Sequence, residues 1–200
     1  MLDETLDLLD WKRRIFELYA EIRCAADPAQ AWLRWRAVRD ELFRSHPQSP
    51  LPVQRRAQFD AVDYFPYDPG LRFAVEVEPV EPEPLRIAGR SGSRIRFTRF
   101  GVVDFELGRL ELYWLEGYGG GVFLPFADAT SGTETYGAGR YLLDSVKGAD
   151  LGTDDGRLVL DLNFAYNPSC SYDDRWACPL APPANRLAVE VRAGERLTAP

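Results

Sequence analysis

Leu8, Trp11, Ile15, Leu18 and Ile22 recur at steps of 3, 4, 3 and 4, with Lys12, Arg13, Glu17 and Glu21 largely off that stripe. A helical period brings such positions onto one face, so the spacing predicts an amphipathic helix. Asp3, Glu4 and Asp7 stand at its start, where the helix dipole favours negative charge. Asp27-Pro28-Ala29-Gln30 then offers an N-cap, a proline at the first helical position and a glutamine at the capping-box position. The helix that follows turns Trp32, Trp35, Val38 and Leu42 inward and should stop near Arg44. Two such helices with a short break predict an antiparallel hairpin over residues 1–45, its aromatic stripe serving as core. Pro47, Pro50 and Pro52 then interrupt regular structure, predicting an extended surface connector over residues 46–62.

From Asp63 the period drops to two. Leu71, Phe73, Val75 and Val77 alternate with Arg72, Ala74, Glu76 and Glu78, the pattern of a half-buried strand. The Glu/Pro stretch Val80–Pro84 suits an exposed turn. Leu85-Arg86-Ile87 and Ile95-Arg96-Phe97 flank Gly89-Arg90-Ser91-Gly92-Ser93 as a hairpin. Val103, Phe105 and Leu107 meet Leu110, Leu112 and Trp114 across Gly108-Arg109, which suits a type II′ turn. Val122–Leu124, the alternating run Leu158–Tyr166, and Leu187, Val189 and Val191 supply further strands. Roughly seven to nine short strands linked by turns predict a mainly β body with α. The expected architecture is an antiparallel β-sandwich or partly closed β-barrel over residues 63–197, with the N-terminal hairpin packed on it.

Composition narrows the functional classes. The chain has 200 residues, 46% hydrophobic and 28% charged, a length that predicts one domain over residues 1–200. No apolar run approaches a membrane span and the first ten residues are acidic, so neither a transmembrane helix nor a secretory signal is expected. With 24 Lys and Arg against 31 Asp and Glu, the net charge of -7 opposes a nucleic-acid partner. A cytoplasmic protein with no membrane partner is the expectation; the pattern leaves the oligomeric state open. There are 3 Cys and 1 His, without the paired short spacings of a zinc site, so no metal and no cofactor is expected. His46 lies in a proline-rich helix exit, where a solvated ring is expected. Cys170 and Cys178 could bridge a loop, but in a reducing compartment they read better as two small half-buried hydrophobes. Asp173 and Asp174 nearby should raise a thiol pKa, which opposes a nucleophilic role.

Two segments do not fit a strand-and-turn reading. Phe126–Tyr141 gathers Asp128, Thr130, Tyr136, Arg140 and Tyr141 among glycines, and Arg140 is the only basic residue between Arg109 and Lys147. Glycines let a backbone turn its amides to a ligand, and an arginine fork pairs with carboxylate or phosphate. It is no Walker loop, because Ala138-Gly139 stands where Lys-Ser/Thr would be, and Leu142 rules out a dinucleotide fingerprint. In the second segment, if Leu162 and Phe164 face the core, Asp161 and Asn163 project to the opposite face beside Tyr166 and Asn167. That face is either solvated or the polar wall of a cavity. The proline-rich return Cys178–Pro183 is stiff enough to hold such a wall.

Phe-x-Asp-x-Thr-x-Gly-x-x-Thr-Tyr-Gly-x-Gly-Arg-Tyr (Phe126–Tyr141), Asn-x-Ala-Tyr-Asn-Pro-x-Cys-x-Tyr (Asn163–Tyr172) and Cys-Pro-Leu-x-Pro-Pro-x-Asn-Arg-Leu (Cys178–Leu187) together resemble a bacterial and archaeal family of unknown function. Ser49-Pro50-Leu51 and Tyr64-Phe65-Pro66-Tyr67-Asp68-Pro69 are similar to that family's pattern too, while Ala181 replaces an expected proline. The resemblance runs from about Trp35 to Glu195 and implies membership without an activity. Function therefore rests on the site, and two readings follow. In one, a small anionic molecule binds in the β-body, with charge from Arg140 and ring or hydroxyl contacts from Tyr136 and Tyr141. Asp128, Thr130 and Asn163 orient it, with Asp161, Tyr166 and Asn167 completing the polar wall. Any chemistry would draw its acid or base from Asp128, Asp161 or Tyr136. In the other, the same residues form a buried polar network that fixes the fold, and function lies in protein contacts through the helical front.

Overall fold

The structure is a computed structural model that describes residues 2–89, 92 and 94–197. Helices α1 (Leu2–Cys24) and α2 (Pro28–Ser45) form the hairpin. Asp27 caps α2 by accepting hydrogen bonds from the N–H groups of Ala29 and Gln30, at 2.9 and 3.2 Å, with Pro28 at the first helical position. Ile15, Leu18 and Tyr19 of α1 and Trp32, Trp35 and Leu42 of α2 are buried. Leu8, on the same stripe, is exposed, because α1 is covered only from about Trp11 onward.

The connector differs from the surface strap that its prolines predict. A short helix α3 (Val53–Arg56) interrupts it, and Ser49, Leu51 and Val62 are buried. Ser49 Oγ donates to the Phe43 carbonyl at 2.6 Å, and the Arg56 guanidinium donates to the carbonyls of Leu51, His46, Pro47 and Ser49. His46 is likewise not solvated: it is buried against the Trp11 ring, and its Nδ1 accepts from the Gln48 N–H.

Eight described strands form two antiparallel sheets. β1 (Arg72–Val75), β7 (Thr153–Asp154) and β8 (Arg157–Asp161) make the smaller, in the order β1-β8-β7. The larger is a meander of β2 (Glu78–Ala88), β3 (Arg94–Phe105), β4 (Gly108–Leu115), β5 (Gly121–Phe126) and β6 (Arg140–Asp144). No described pairing joins β6 to β2, so the sheet stays open and the body is sandwich-like rather than a closed barrel. One hydrophobic cluster holds Leu18 and Trp35 from the hairpin, Val75 and Leu160 from the small sheet, and Val103, Leu112 and Leu142 from the large one. Helical stripe and sheet faces therefore meet in shared core, as layered packing requires.

Several strand boundaries depart from the pattern, each for a local reason. The Glu/Pro stretch lies inside β2, not in a turn; β2 is an edge strand whose register shifts between Pro79 and Glu83, a place where prolines are tolerated. Phe105 pairs with Gly108, so the β3–β4 turn is Glu106-Leu107 rather than Gly108-Arg109. β8 stops at Asp161, whose carboxylate accepts the Asn163 N–H and winds Leu162–Phe164 into a 3-10 turn with all three residues buried. Leu187–Val191 forms no regular strand; it runs beside the residue 127–129 loop through single hydrogen bonds from Leu187 N to Ala127 O and from Ala129 N to Val189 O. Of the hairpin turn at 89–93, Arg90, Ser91 and Ser93 lie outside the described residues.

Candidate functional site

Buried arginine and aromatic side chains gather where the Phe126–Tyr141 segment, the stretch after β8 and the C-terminal segment converge. Asp128 and Arg140 are both fully buried. Asp128 Oδ1 accepts from Thr130 N at 2.8 Å, Thr130 Oγ1 at 2.6 Å and Val191 N at 3.2 Å; Oδ2 accepts from Arg140 Nη2 at 2.8 Å. Thr130 Oγ1 also meets Thr135 Oγ1 at 2.9 Å. Arg140 donates further to the carbonyls of Val191 at 3.0 Å, Ala193, and Glu195 at 3.3 Å. The ring over its guanidinium is that of Phe126, 5.1 Å away. Burial pulls the Arg140 pKa down against the opposing charge of Asp128, and an arginine stays charged regardless.

Asp161 and Asn163 form a separate group. Both are buried, so the alternation that would put them on a face of their own fails at the 3-10 turn. Asp161 accepts from Asn163 Nδ2 at 2.8 Å and from Tyr67 OH at 3.3 Å. Asn163 accepts the Asp68 N–H and donates to the Asp68 carbonyl, each at 2.8 Å, which staples the Tyr67–Asp68 segment to the end of β8. Burial raises the Asp161 pKa although Asn163 and Arg72 oppose it.

Asn167 leads to two residues the sequence reading missed. Its backbone N–H and Nδ2 donate to the two carboxylate oxygens of Glu195, each at 3.0 Å. Glu195 pairs with Arg39 Nη2 at 2.7 Å, and Arg39 Nε donates to Tyr64 OH at 2.9 Å. Burial pushes the Glu195 carboxyl up to about 7, outweighing Arg39 and Asn167. Arg39 stands four residues after Trp35, on the inward stripe of α2. A charge in line with buried aromatics was the available signal; Glu195 carries no local pattern.

Beside this pair lies a cavity of about 70 Å³ between the hairpin and the β-body, walled by Trp35, Phe43, Tyr141 and Tyr166, with Arg39 and Asn167 in its lining. The Arg39 guanidinium lies 4.8, 5.0 and 5.1 Å from the ring centres of Trp35, Phe43 and Tyr166. Two oxygens in the lining residues, Asn167 Oδ1 and Tyr172 OH, are buried with no hydrogen-bond partner among the described residues. Of the predicted site residues, Tyr141, Tyr166 and Asn167 thus meet at the cavity. Asp128, Thr130 and Arg140 lie in the buried network, Asp161 and Asn163 in the staple, and Tyr136 beside Cys170. A wider depression of about 640 Å³ beside β1 and the β3–β4 turn is lined by Glu76, Glu78, Asp104 and Glu106 against Arg72 and Arg157, which disfavours an anion there. Among the described residues no group of three or more His, Cys, Asp or Glu is placed to hold a metal ion, and no helix is long and apolar enough to cross a membrane.

Residues 57–196 match the family described as protein of unknown function (DUF1684), and the chain belongs to that family. Among solved structures it is similar to the solution NMR structure of an uncharacterized protein from gene locus rrnAC0354 of Haloarcula marismortui, with 32% identity and a TM-score of 0.58 over 84% of this chain and 93% of that one. No curated protein matches.

Proposed function

We propose that the chain binds a small anionic molecule in the cavity between the helical hairpin and the β-body, with Arg39, Tyr141, Tyr166, Asn167 and Tyr172 as its contacts. The observation that carries this reading is the pair of buried oxygens, Asn167 Oδ1 and Tyr172 OH, without a partner among the described residues and beside a buried arginine. A buried polar group left unpaired costs about 1–3 kcal/mol, so a ligand that completes both relieves that cost on binding. The Tyr172 hydroxyl and Arg39 Nη1, which takes no part in the Arg39 bonds to Tyr64 and Glu195, are donors suited to a carboxylate. Asn167 Oδ1 accepts, so the ligand also needs a hydroxyl or amino donor, and the rings accommodate a short apolar stem. Size selects further: an apolar cavity of about 150 Å³ admits one benzene ring, so 70 Å³ fits only a few heavy atoms. A short hydroxy- or amino-carboxylate meets all these conditions.

The test is a thermal-shift panel of glycolate, lactate, acetate and phosphate on the wild type and on Tyr172→Phe, with native mass spectrometry of the purified protein for a retained small molecule. A short hydroxycarboxylate should raise the wild-type melting temperature, and Tyr172→Phe should lose that shift while melting unliganded as the wild type does. A bare native mass together with no shift from any anion would sink the reading. The second reading, a fold-stabilising network with function in protein contacts, is favoured by Arg140, whose two terminal nitrogens are bonded inside the protein. It is also favoured by Leu2, Leu6, Leu9 and Phe16 of α1, which are exposed.

A further inference from the structure

A second cavity, of about 210 Å³, lies between the turn of the helical hairpin and the small sheet, and it shares no lining residue with the cavity beside Arg39. Four of its lining residues are charged: Arg23 at the end of α1, Arg72 of β1, Asp154 of β7 and Asp161 at the end of β8. Arg72 and Asp161 stand directly opposite each other across the β1–β8 ladder, yet Arg72 Nε stays 3.9 Å from Asp161 Oδ2. A closed guanidinium–carboxylate bond is about 2.7–2.9 Å long, so this pair is open. Among the described residues the Arg72 guanidinium has no hydrogen-bond partner. Asp161 is buried, and its two oxygens are unequally used. Oδ1 accepts from Asn163 N and Nδ2 at 3.1 and 2.8 Å, whereas the one described donor to Oδ2 is the Tyr67 hydroxyl at 3.3 Å. A buried carboxylate oxygen with one long bond, beside an unbonded guanidinium, is completed by a ligand that carries both a donor and an anion.

Arg23 is fixed beside them. Its Nη1 donates to the Asp150 carbonyl at 2.8 Å, and its stem lies against Gly152, where a Cβ would come within 2.8 Å of Arg23 Cδ. Nε and Nη2 of this fork have no partner among the described residues. Two guanidinium groups thus balance two carboxylates around one space. A ligand of one charge sign would meet repulsion from one of those pairs, whereas a zwitterion matches both. The buried side chains of Leu151, Val159 and Phe164 complete the wall and suit an aliphatic group.

We propose that this cavity binds a free α-amino acid with a short aliphatic side chain, its ammonium on Asp161 Oδ2 and its carboxylate on Arg72 and Arg23. The ligand inserts into the open ion pair, so each buried charge gains a direct partner and none is left unmatched. Size supports the class. In proportion to the one benzene ring that about 150 Å³ admits, this cavity takes about eight heavy atoms, the size of valine, which the 70 Å³ cavity beside Arg39 is too small to hold.

The experiment is isothermal titration calorimetry and thermal shift of the full chain with L-valine, with isovalerate, which lacks the ammonium, and with L-valinamide, which lacks the carboxylate. L-Valine should bind at millimolar concentration or below. Each analogue should bind about tenfold more weakly or worse, because it leaves one charged side of the cavity unmatched. Arg72→Gln should weaken L-valine by about tenfold or more, while Tyr172→Phe, which alters the other cavity, should leave it unchanged. The analogues are measured on the wild type, so they decide even where Arg72→Gln fails to fold. Neither heat nor a melting shift from L-valine would overturn the proposal, and so would isovalerate or L-valinamide binding as tightly as L-valine. L-Valine binding that Tyr172→Phe abolishes and Arg72→Gln leaves intact would also overturn it, by placing the amino acid beside Arg39 instead.

Discussion

Among the described residues, two buried arginine–carboxylate pairs differ in what surrounds them. Arg140 and Asp128 are enclosed by backbone: Arg140 reaches three carbonyls of the C-terminal segment, and Asp128 accepts the N–H groups of Thr130 and Val191. Arg39 and Glu195 are enclosed mainly by side chains, with Tyr64 and Asn167 as partners, one Asn167 bond coming from its backbone N–H, and aromatic rings as walls. Backbone partners fix the course of the chain, so the first pair holds the loop after β5 to the C-terminal segment. Side-chain partners leave gaps between rings, and the cavity lies beside the second pair. The same residue types thus serve cohesion in one place and a ligand-sized space in the other.

The largest expected effect separates them by stability. Arg140→Ala leaves the Asp128 charge buried and unpaired, and breaking a buried pair from one side costs roughly 3–5 kcal/mol. Urea unfolding measures it. A loss under about 1 kcal/mol would show that the backbone donors alone support Asp128, and the reading of Arg140 as a tie would fall.

How much of this was visible in the sequence differs by region. The hairpin was legible because its stripe, cap and proline all pointed the same way. β6 was not, because all five of its residues are buried and no alternation exists to be seen; Tyr141 and Tyr166 exchange backbone hydrogen bonds across its outer edge. The alternation expected at Asp161 and Asn163 ends because one carboxylate–amide bond turns the strand into a 3-10 turn, and both are buried, with Asp161 lining a cavity of about 210 Å³ beside Arg72. Arg39 was overlooked because an arginine on a helix ordinarily points to water. Its partner Glu195 lies 156 residues away, beyond any local pattern.

A second measurement addresses the open pair through pH. The Glu195 carboxyl rises from an ordinary 4.5 to about 7 on folding, so between those values the folded state holds a proton that the unfolded state has lost. Stability from this group is therefore present at low pH and falls as pH rises through that window, by on the order of 3 kcal/mol in all. Glu195→Gln removes the ionisation. Its amide satisfies Asn167 and Arg39 less well, so it should be less stable throughout, but the wild-type-minus-variant difference should shrink from pH 5 to pH 7.5. Anion affinity should follow the same logic: protonated Glu195 no longer neutralises Arg39, so wild-type affinity should rise as pH falls below about 7. A stability difference that does not shrink over this range would mean Glu195 is ionised throughout it, and the link to anion binding would be lost.

The smallest expected effect tests whether the two pairs are independent. Thr130→Val keeps the side-chain shape and removes one donor to Asp128, while Arg140, the Thr130 N–H and the Val191 N–H remain. Losing a hydrogen bond to a charged acceptor costs about 1.5–3 kcal/mol, and three surviving donors place the change at the lower end, near 1.5 kcal/mol. Thr135 Oγ1 loses its contact with Thr130 at the same time, which keeps the cost above zero. Urea unfolding should show this modest loss, and any shift produced by a short carboxylate should persist, because Thr130 lies outside the cavity lining. A loss equal to that of Arg140→Ala would make the hydroxyl, not the guanidinium, the keystone of the loop. Disappearance of the ligand shift would mean that the closed network and the open cavity act as a single site, joined through Glu195, whose backbone carbonyl accepts from Arg140 while its carboxylate accepts from Arg39.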